Sequence, residues 1–313
     1  MAKNKSSISL VINTKNEELN IKDCINSAKD IADEIIVVDM QSKDKTVEIA
    51  QSLGAKTYSF KDHGYVEPAR NFALSKATKA WTLVLDADER LPKSVKNEIL
   101  RLVKEGKYDG FKFPFKNILL GKWIEHSMWW PDYHIRLFRT GHLDWPTGVH
   151  QDQNFKGTLF EVEAKEKNAF VHYNIADIRE MLSMVDEYSS VEAIFKSKKN
   201  PKPEDLIEYL DKEFKWRYFE HQGYLDGMHG FILAKFMNIY RFLEVAKYWE
   251  REGYKQMFNP VELKIAAEAG YSQDKQKDDE INRLKSDLTR IQSSKFYKLW
   301  QSFNQFKKIL LRK

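Results

Sequence analysis

The sequence predicts an α/β fold with a mainly parallel sheet, followed by a helical C-terminal region. Over the first hundred residues, short β-rich runs alternate with amphipathic helical patterns. The runs are nearly continuous in β-branched residues, which is typical of parallel strands covered on both faces. The chain has 313 residues, of which 42% are hydrophobic and 13% aromatic, so it can form one large domain with an appendage or two modest ones.

Four strands and four helices are predicted in alternation. The strands are expected at residues 8–13, 34–39, 56–60 and 81–85, and the helices at about 17–28, 43–53, 67–78 and 93–104. The first helix places Ile21, Cys24, Ile25 and Ala28 on one face, with Asn16 as its expected N-cap. The second helix is expected to end at Gly54, a residue type favoured after helix ends. Such βα alternation predicts a parallel sheet with helices on its faces.

The character of the sequence changes after residue 108. Aromatic and β-branched residues dominate as far as residue 174, with turn signals that include Gly121, Gly141 and Gly157. We expect added strands and long loops here, laid across one end of the sheet. After about residue 175 the pattern is helical to the end of the chain, with a break at 200–203. The predicted divisions are a core at 1–175, a helical region at 176–272 and a C-terminal segment at 273–313.

The C-terminal segment carries two helical patterns. Residues 281–291 have a short heptad seam, which would suit a homo-oligomer. Residues 295–313 hold six lysine and arginine residues, no acidic residue and an apolar aromatic stripe. That combination predicts a helix lying on an anionic membrane surface, and packing on the protein body or on another subunit is the alternative. Because the formal net charge of +5 comes from this tail, nucleic-acid binding is not expected.

The strongest local signal is the run Leu83–Glu89, in which a predicted buried strand ends in Asp86 and Asp88. Ligands of open α/β folds bind at the carboxyl edge of the sheet, where both carboxylates would project. Two such oxygen donors suit a divalent cation, Mg²⁺ or Mn²⁺, with phosphate oxygens completing its shell. The alternative is a solvated acidic turn, because so short a motif is common.

Other polar residues follow the same strands. Asn16 comes after the first strand, Asp39 closes the second, and Ser42 and Asp44 follow it. These side chains could contact a nucleotide, although helix and turn capping explains several of them equally well. Arg70 near the start of the third helix could clamp a diphosphate.

Several classes of protein are excluded or disfavoured by what the sequence lacks. It has no Gly-x-Gly-x-x-Gly after a strand and no Gly-x-x-x-x-Gly-Lys-Ser/Thr, so a dinucleotide oxidoreductase or a P-loop enzyme is not expected. The one cysteine, Cys24, permits no intramolecular disulfide and fits a reducing compartment. No run approaches the roughly 18 apolar residues of a membrane span, and no signal-peptide core is present. We therefore expect a cytoplasmic protein, peripheral at the inner face of the cytoplasmic membrane.

Four motifs in this order resemble family 2 inverting glycosyltransferases, most closely the bacterial branch that builds lipopolysaccharide cores and cell-surface polysaccharides. They lie at residues 9–18, 34–46, 69–71 and 85–92. Further matches to that branch lie at 131–139, 148–150 and 223–249, so the resemblance covers roughly residues 8–252. It implies the GT-A nucleotide-diphospho-sugar transferase fold, with a nucleotide-sugar half at about 1–107 and an acceptor half at about 108–175.

The resemblance also implies roles for individual residues around the donor. Those expected around the donor nucleotide are Thr14, Asn16, Glu17, Asp39, Ser42 and Asp44. Arg70 would lie near the diphosphate, Asp86 by the ribose, and Asp88 on the metal that bridges the phosphates. Trp129, Trp130 and Trp145 are the expected acceptor contacts, because sugar rings stack on indole faces and core packing is the alternative.

The catalytic base departs from the pattern of that branch. Gln151 stands where the branch usually has a glutamate, and glutamine has no basic lone pair of useful pKa. Asp152 is the favoured base, Asp132 the second candidate, and His150 a positioning group.

The implied reaction is a metal-assisted single displacement. A UDP-sugar would donate its sugar, with inversion, to a hydroxyl of a glycan or glycolipid. A sugar-nucleotide nucleotidyltransferase and a non-catalytic sugar- or membrane-binding scaffold are the alternatives. The first would need a glycine-rich phosphate loop after the first strand, where this chain has Asn13-Thr-Lys-Asn16.

Overall fold

The computed structural model of the protein describes residues 6–64, 66–146, 153–195 and 203–251. The heptad seam at 281–291, the basic helix at 295–313 and the division after residue 272 lie outside these ranges, and so does most of the break at 200–203.

The first hundred residues form the predicted βα alternation. The strands are β1 (Ile8–Thr14), β2 (Glu34–Asp39), β3 (Lys56–Ser59) and β4 (Trp81–Asp86). The helices are α1 (Ile21–Ala28), α2 (Thr46–Ser52), α3 (Glu67–Leu74) and α4 (Lys93–Glu105). All four strands pair in parallel, in the order β3-β2-β1-β4. The α/β class with a parallel sheet is therefore confirmed.

The capping prediction for Asn16 is wrong. Helix α1 begins at Ile21, and the residue before it, Asn20, makes no side-chain cap. Asn16 has a φ of 55°, and its side-chain oxygen accepts a hydrogen bond from the Lys43 amide at 2.8 Å. The side chain therefore ties two loops together instead of capping a helix.

Most strands after residue 88 extend the same sheet instead of lying across its end, and two short ones form a separate two-stranded sheet. They are β5 (Glu89–Arg90), β6 (Gly110–Leu119), β7 (Lys122–Trp123), β8 (Asp132–Arg139), β9 (Leu143–Asp144), β10 (Asn154–Phe155), β11 (Leu159–Glu161) and β12 (Phe170–Ile175). Beyond β4 the sheet continues as β8-β6-β12-β5, β7 and β11 pair with β6, and β9 pairs with β10.

The register of these strands brings polar residues to one edge of the sheet. Strand β8 is antiparallel to β4, so its first residue, Asp132, lies at the edge where β4 ends in Asp86. Strand β6 is antiparallel to β8 and ends at that same edge, and its Asn117 pairs with His172 on the parallel strand β12. His172 in turn pairs with Glu89 on β5. Residues that are far apart in sequence therefore meet at the carboxyl edge of β4.

Both faces of the sheet are covered by helices. One apolar cluster joins α1, α2 and α4 to the sheet, and it includes Ile25, Ile99 and Phe113. The other joins α3 to the opposite face through Ala69 and Ala73. This double cover explains the long runs of buried apolar residues in β1, β2 and β4.

The helical region follows β12. It consists of α5 (Ile178–Phe195), α6 (Pro203–Lys215), which continues as a π-helical turn to Glu220, a 3₁₀ turn (Gly223–Asp226) and α7 (Met228–Trp249). Helix α7 passes so close to this turn that a Cβ on Gly230 would lie 1.7 Å from the Gly223 carbonyl oxygen, so only glycine fits there. Within the described ranges, none of the helices combines the length and apolar character that crossing a bilayer requires.

Candidate active site at the carboxyl edge of the sheet

Asp86, the last residue of β4, is held by two arginines. Arg70 of α3 donates to both of its carboxylate oxygens, at 3.1 and 3.3 Å. Arg136 of β8 donates to Asp86 Oδ2 at 2.9 Å and also contacts the carboxylate of Glu89. Glu89 in turn accepts the Asp86 amide at 3.0 Å. Four charged side chains from four elements therefore form one buried network.

The pKa values of the two carboxyl groups of this network are shifted in opposite directions. Burial alone would raise the pKa of Asp86, but the charges of Arg70 and Arg136 hold it well below its usual range. Burial raises the pKa of Glu89, and the neighbouring Asp86 carboxylate adds to that effect against the attraction of Arg136. The arginines therefore favour the ionised form of Asp86, whereas burial works against the charged form of Glu89.

A second network begins at Asp88 and runs across three strands. His172 Nε2 donates to Asp88 Oδ2 at 3.1 Å, and His172 Nδ1 donates to Asn117 Oδ1 at 2.9 Å. Asn117 Nδ2 donates to Asp132 Oδ2 at 3.0 Å. His134 Nε2 lies 3.1 Å from Asp132 Oδ1. The residue predicted to bind the metal and one of the two predicted bases are thus the ends of one hydrogen-bonded chain.

The pKa shifts of His172 and Asp132 agree with these hydrogen bonds. Burial would lower the pKa of His172, but the hydrogen bond to Asp88 and the charges of Asp88, Glu89 and Asp86 raise it to about 9. Burial would raise the pKa of Asp132, but His134 and Asn117 bring it below its usual value. At neutral pH His172 is therefore cationic in this state, and Asp132 is an ionised carboxylate.

The loops after β1 and β2 are interlocked. The amides of Asn16 and Glu18 donate to the side chains of Ser42 and Asp44, at 2.7 and 3.1 Å. The Ser42 amide donates to Asp39 Oδ2 at 3.0 Å. Asn16, Ser42 and Asp44, all predicted at the donor, therefore have structural partners as well.

Glu17 lies in the same pair of loops, and its pKa is raised. Burial is the main cause, opposed by the hydrogen bond from Asn20 and reinforced by the charges of Asp88, Glu180 and Asp44. The charge of Glu180, in the first turn of α5, acts on Glu17 across a long stretch of sequence. A ligand that neutralised these carboxylates would therefore be bound favourably here.

Several buried polar atoms in the described part of the chain have no hydrogen-bond partner. Five of them lie at the ends of β1 and β2 and around the arginines, namely Asn13 Oδ1, Thr14 Oγ1, Asp39 Oδ1, Arg70 Nε and Arg136 Nε, and the others lie elsewhere, such as Tyr240 Oη in α7. Buried polar atoms are nearly always paired, and an unpaired one costs about 1–3 kcal/mol. Acceptors and donors are both present, so a polar ligand could satisfy them together.

The three tryptophans predicted to bind the acceptor occupy two different places. Trp130 packs edge-on against Trp123, with ring centroids 5.4 Å apart, and Trp129 packs on the apolar cluster around Leu119. Trp145 is 8% exposed, and its ring lies under the Arg70 guanidinium at 4.6 Å. The structure therefore places Trp145 with the arginine network and the other two in the loop before β8.

Asp88 is the side chain that could hold a metal here. In the described ranges no group of three or more His, Cys, Asp or Glu side chains could hold a metal ion. Asp88 is about a quarter exposed, and Asp88 Oδ2 lies 3.1 Å from His172 Nε2. A carboxylate oxygen suits Mg²⁺ or Mn²⁺, and His172 Nε2 could join it only without the hydrogen that it now donates to Asp88. Asp86 offers no equivalent, because both of its oxygens face arginines.

Sequence reasoning missed four residues of the site: Glu89, Asn117, Arg136 and His172. Arg136 and Asn117 are buried, and each interrupts an apolar strand pattern that would otherwise continue. A polar side chain on the core face of a strand was the available signal. His150, Gln151 and Asp152 lie outside the described residues, so Asp152 remains a prediction.

A family model covers half of the chain. The model of glycosyl transferase family 2 matches residues 9–165. An uncharacterized glycosyltransferase of Rickettsia bellii is 29% identical over 257 residues, which cover 77% of this chain and 85% of the relative. The lipopolysaccharide core biosynthesis glycosyltransferase LpsC of Rhizobium meliloti is 27% identical over 80% of this chain and 95% of its own. Among solved structures, S. aureus TarS in complex with UDP-GlcNAc is 18% identical, with a TM-score of 0.45 over 80% of this chain and 92% of that one.

Proposed function

The chain belongs to glycosyl transferase family 2, and we propose that it transfers a sugar, with inversion, from a UDP-sugar to a hydroxyl of a cell-surface glycan or glycolipid. The main observation in support is the group of unpartnered buried polar atoms at the carboxyl edge of the sheet. A nucleoside diphosphate has the hydroxyls, imide and phosphate oxygens that such atoms would pair with. Open α/β sheets bind ligands at this edge.

The donor's nucleoside would lie against the ends of β1 and β2. Asp39 Oδ1 and Asn13 Oδ1 can accept from base or ribose N–H and O–H groups, and Thr14 Oγ1 can donate or accept. Arg70 and Arg136 carry unpaired Nε–H groups beside Asp86, and guanidinium groups bind phosphate oxygens well. The interlocked loops would keep these groups in place before the donor arrives.

A divalent cation, Mn²⁺ or Mg²⁺, would be held by Asp88, with His172 as a second ligand once its proton is lost. When bound, it would offset the negative charge that develops on the departing diphosphate. Arg70 and Arg136 would assist from the protein side, because their charges are buried and already oriented.

Asp132 is the base that the described geometry supports. It is ionised, a third exposed and held by Asn117 and His134 on its two oxygens. In a single displacement it would remove the proton of the acceptor hydroxyl as that oxygen attacks, a contribution of roughly 10²–10⁴-fold. Asp152, with His150 positioning it, is the rival base.

The acceptor would approach over the loop before β8. Trp129 and Trp130 lie there, directly before Asp132 in the chain, and indole faces stack on sugar rings. The name of LpsC, which matches over 95% of its length, favours an acceptor of the lipopolysaccharide-core kind.

The test is release of UDP from UDP-GlcNAc or UDP-glucose. We expect slow hydrolysis that requires Mn²⁺ or Mg²⁺, is abolished by EDTA and is restored by added metal. Asp88→Asn should lose this metal-dependent hydrolysis, whereas Asp30→Asn should keep it, because Asp30 pairs with Lys96 on the surface of the protein. No UDP release and no UDP binding with any metal would refute the proposal.

The tail predictions belong to the same proposal. Residues 295–313 would bring the enzyme to an anionic membrane, and 281–291 would support a homo-oligomer. A truncation after Ser272 should lose flotation with phosphatidylglycerol liposomes yet keep donor hydrolysis. Unchanged flotation would contradict the membrane role. If sedimentation gives the same number of chains per particle before and after truncation, the oligomer role is contradicted.

A further inference from the structure

Asn117 makes hydrogen bonds towards both halves of the candidate site. It is fully buried in β6. Its oxygen accepts from His172, which contacts Asp88, and its nitrogen donates to Asp132. The same nitrogen donates to the carbonyl of Trp129 at 3.2 Å, in the loop that carries the tryptophans. One amide therefore contacts His172, which lies beside the proposed metal ligand Asp88, the candidate base Asp132, and the loop that carries the tryptophans.

The orientation of this amide is determined by its partners. The nitrogen faces a carboxylate and a carbonyl, which can only accept hydrogen bonds. A flipped amide would place its oxygen against both of these acceptor oxygens. The oxygen must then face His172 Nδ1, which must carry a hydrogen. His172 is thereby left with Nε2 directed at Asp88.

The Trp129 carbonyl follows a strained stretch of backbone. Ser127 and Met128 both have left-handed φ values, 60° and 70°, although neither is glycine. Such conformations persist only where the surroundings over-determine them. The Arg217 guanidinium holds the Ser127 carbonyl at 3.2 Å from the helical side, and Asn117 holds the Trp129 carbonyl from the sheet side.

We propose that Asn117 is a positioning residue that sets the cation-side histidine, the base Asp132 and the tryptophan loop from a single buried amide. The inference rests on the proposed function for its catalytic meaning. The second hydrogen bond of a metal-binding histidine fixes the orientation of its ring, and changing that partner typically costs about 10–100-fold in metal affinity or activity. Asn117 is such a partner for His172, and it serves Asp132 with its other end.

Two substitutions of Asn117 test the roles of the amide oxygen and the amide nitrogen separately. Asn117→Asp keeps an oxygen for His172 and sets a carboxylate against Asp132, so UDP binding with Mn²⁺ should stay near that of the wild type. Turnover of UDP-GlcNAc should nevertheless fall, and the acidic limb of its pH profile should move to higher pH, because a like charge raises the pKa of Asp132. Asn117→Leu removes both ends and should also weaken Mn²⁺-dependent UDP binding by about 10–100-fold.

A double variant gives a readout that needs no ligand. In Asn117→Asp with Asp132→Asn the donor and acceptor are exchanged, and the hydrogen bond between the two positions can form again. We expect its melting temperature to recover much of what Asn117→Asp alone loses. Strictly additive losses would overturn the inference, because residues that do not interact show additive effects.

Asn238→Asp is the matched control. Asn238 also donates its amide to a backbone carbonyl, that of Leu210 in α6, away from the sheet edge. It should leave metal-dependent UDP binding and the pH profile unchanged. If both Asn117 variants behave like this control, or if they lower binding and turnover by one common factor, Asn117 is not a positioning residue. A wild-type protein that binds no UDP would refute the proposed function alone, since the melting temperatures would still test the hydrogen bonds.

Discussion

Arg136 donates to Asp86 at 2.9 Å across the paired strands β8 and β4, which run in opposite directions. The contact joins the last strand of the parallel half to the first strand that extends it. The same guanidinium contacts Glu89, which has no exposed surface. Arg136 is therefore the counter-ion of the buried Glu89, and it shares Asp86 with Arg70.

Replacing Arg136 with methionine should lower the free energy of unfolding by roughly 3–5 kcal/mol, because it leaves buried charge uncompensated. Urea denaturation at neutral pH measures this. Arg101→Met is the control, since Arg101 is half exposed and pairs with Glu98 and Glu105 on the surface of α4. That change should cost about 1 kcal/mol or less. Equal losses in the two variants would show that the buried network contributes little.

Glu34 provides a pH-dependent prediction away from the site. Burial raises the pKa of Glu34, but hydrogen bonds from Ser9, Thr78 and Lys56 outweigh it and lower the pKa. Since the folded pKa lies below the unfolded one, this stabilisation is complete above the unfolded value of about 4.3 and is lost as the pH falls through the folded value.

Glu34→Gln should therefore destabilise the protein by about 1–3 kcal/mol at pH 7 and by less at pH 3. Urea denaturation at the two pH values measures the difference from wild type. Glu48→Gln, on the exposed face of α2, should show no such change. A penalty for Glu34→Gln that is the same at both pH values would contradict the assigned hydrogen bonds.

The fold was largely predictable, and the site only in part. Strands such as β2 could be placed because parallel strands covered on both faces have nearly continuous apolar runs, as residues 35–38 do. The roles of Asn117 and His172 could not, because they depend on the register between β6 and β12, which no local pattern specifies. Asp88 could be singled out by its place after a strand, whereas its partner lies 84 residues away.

Asp132→Asn should leave UDP binding with Mn²⁺ near that of the wild type and lower turnover by roughly 10²–10⁴-fold, because the amide cannot accept the acceptor's proton. Turnover at saturating UDP-GlcNAc with an acceptor measures this. Asp152→Asn is the comparison that chooses between the two bases. Full activity of Asp132→Asn together with an inactive Asp152→Asn would move the role to Asp152.

The most direct test of the proposed function is a crystal of the protein soaked with UDP and Mn²⁺. We expect an anomalous manganese peak within bonding distance of the Asp88 carboxylate, with the diphosphate beside Arg70 and the uracil at the ends of β1 and β2. Asp88→Asn, soaked in the same way, should lose the peak. An ordered UDP bound elsewhere, or a wild-type crystal without manganese at Asp88, would contradict the proposed function.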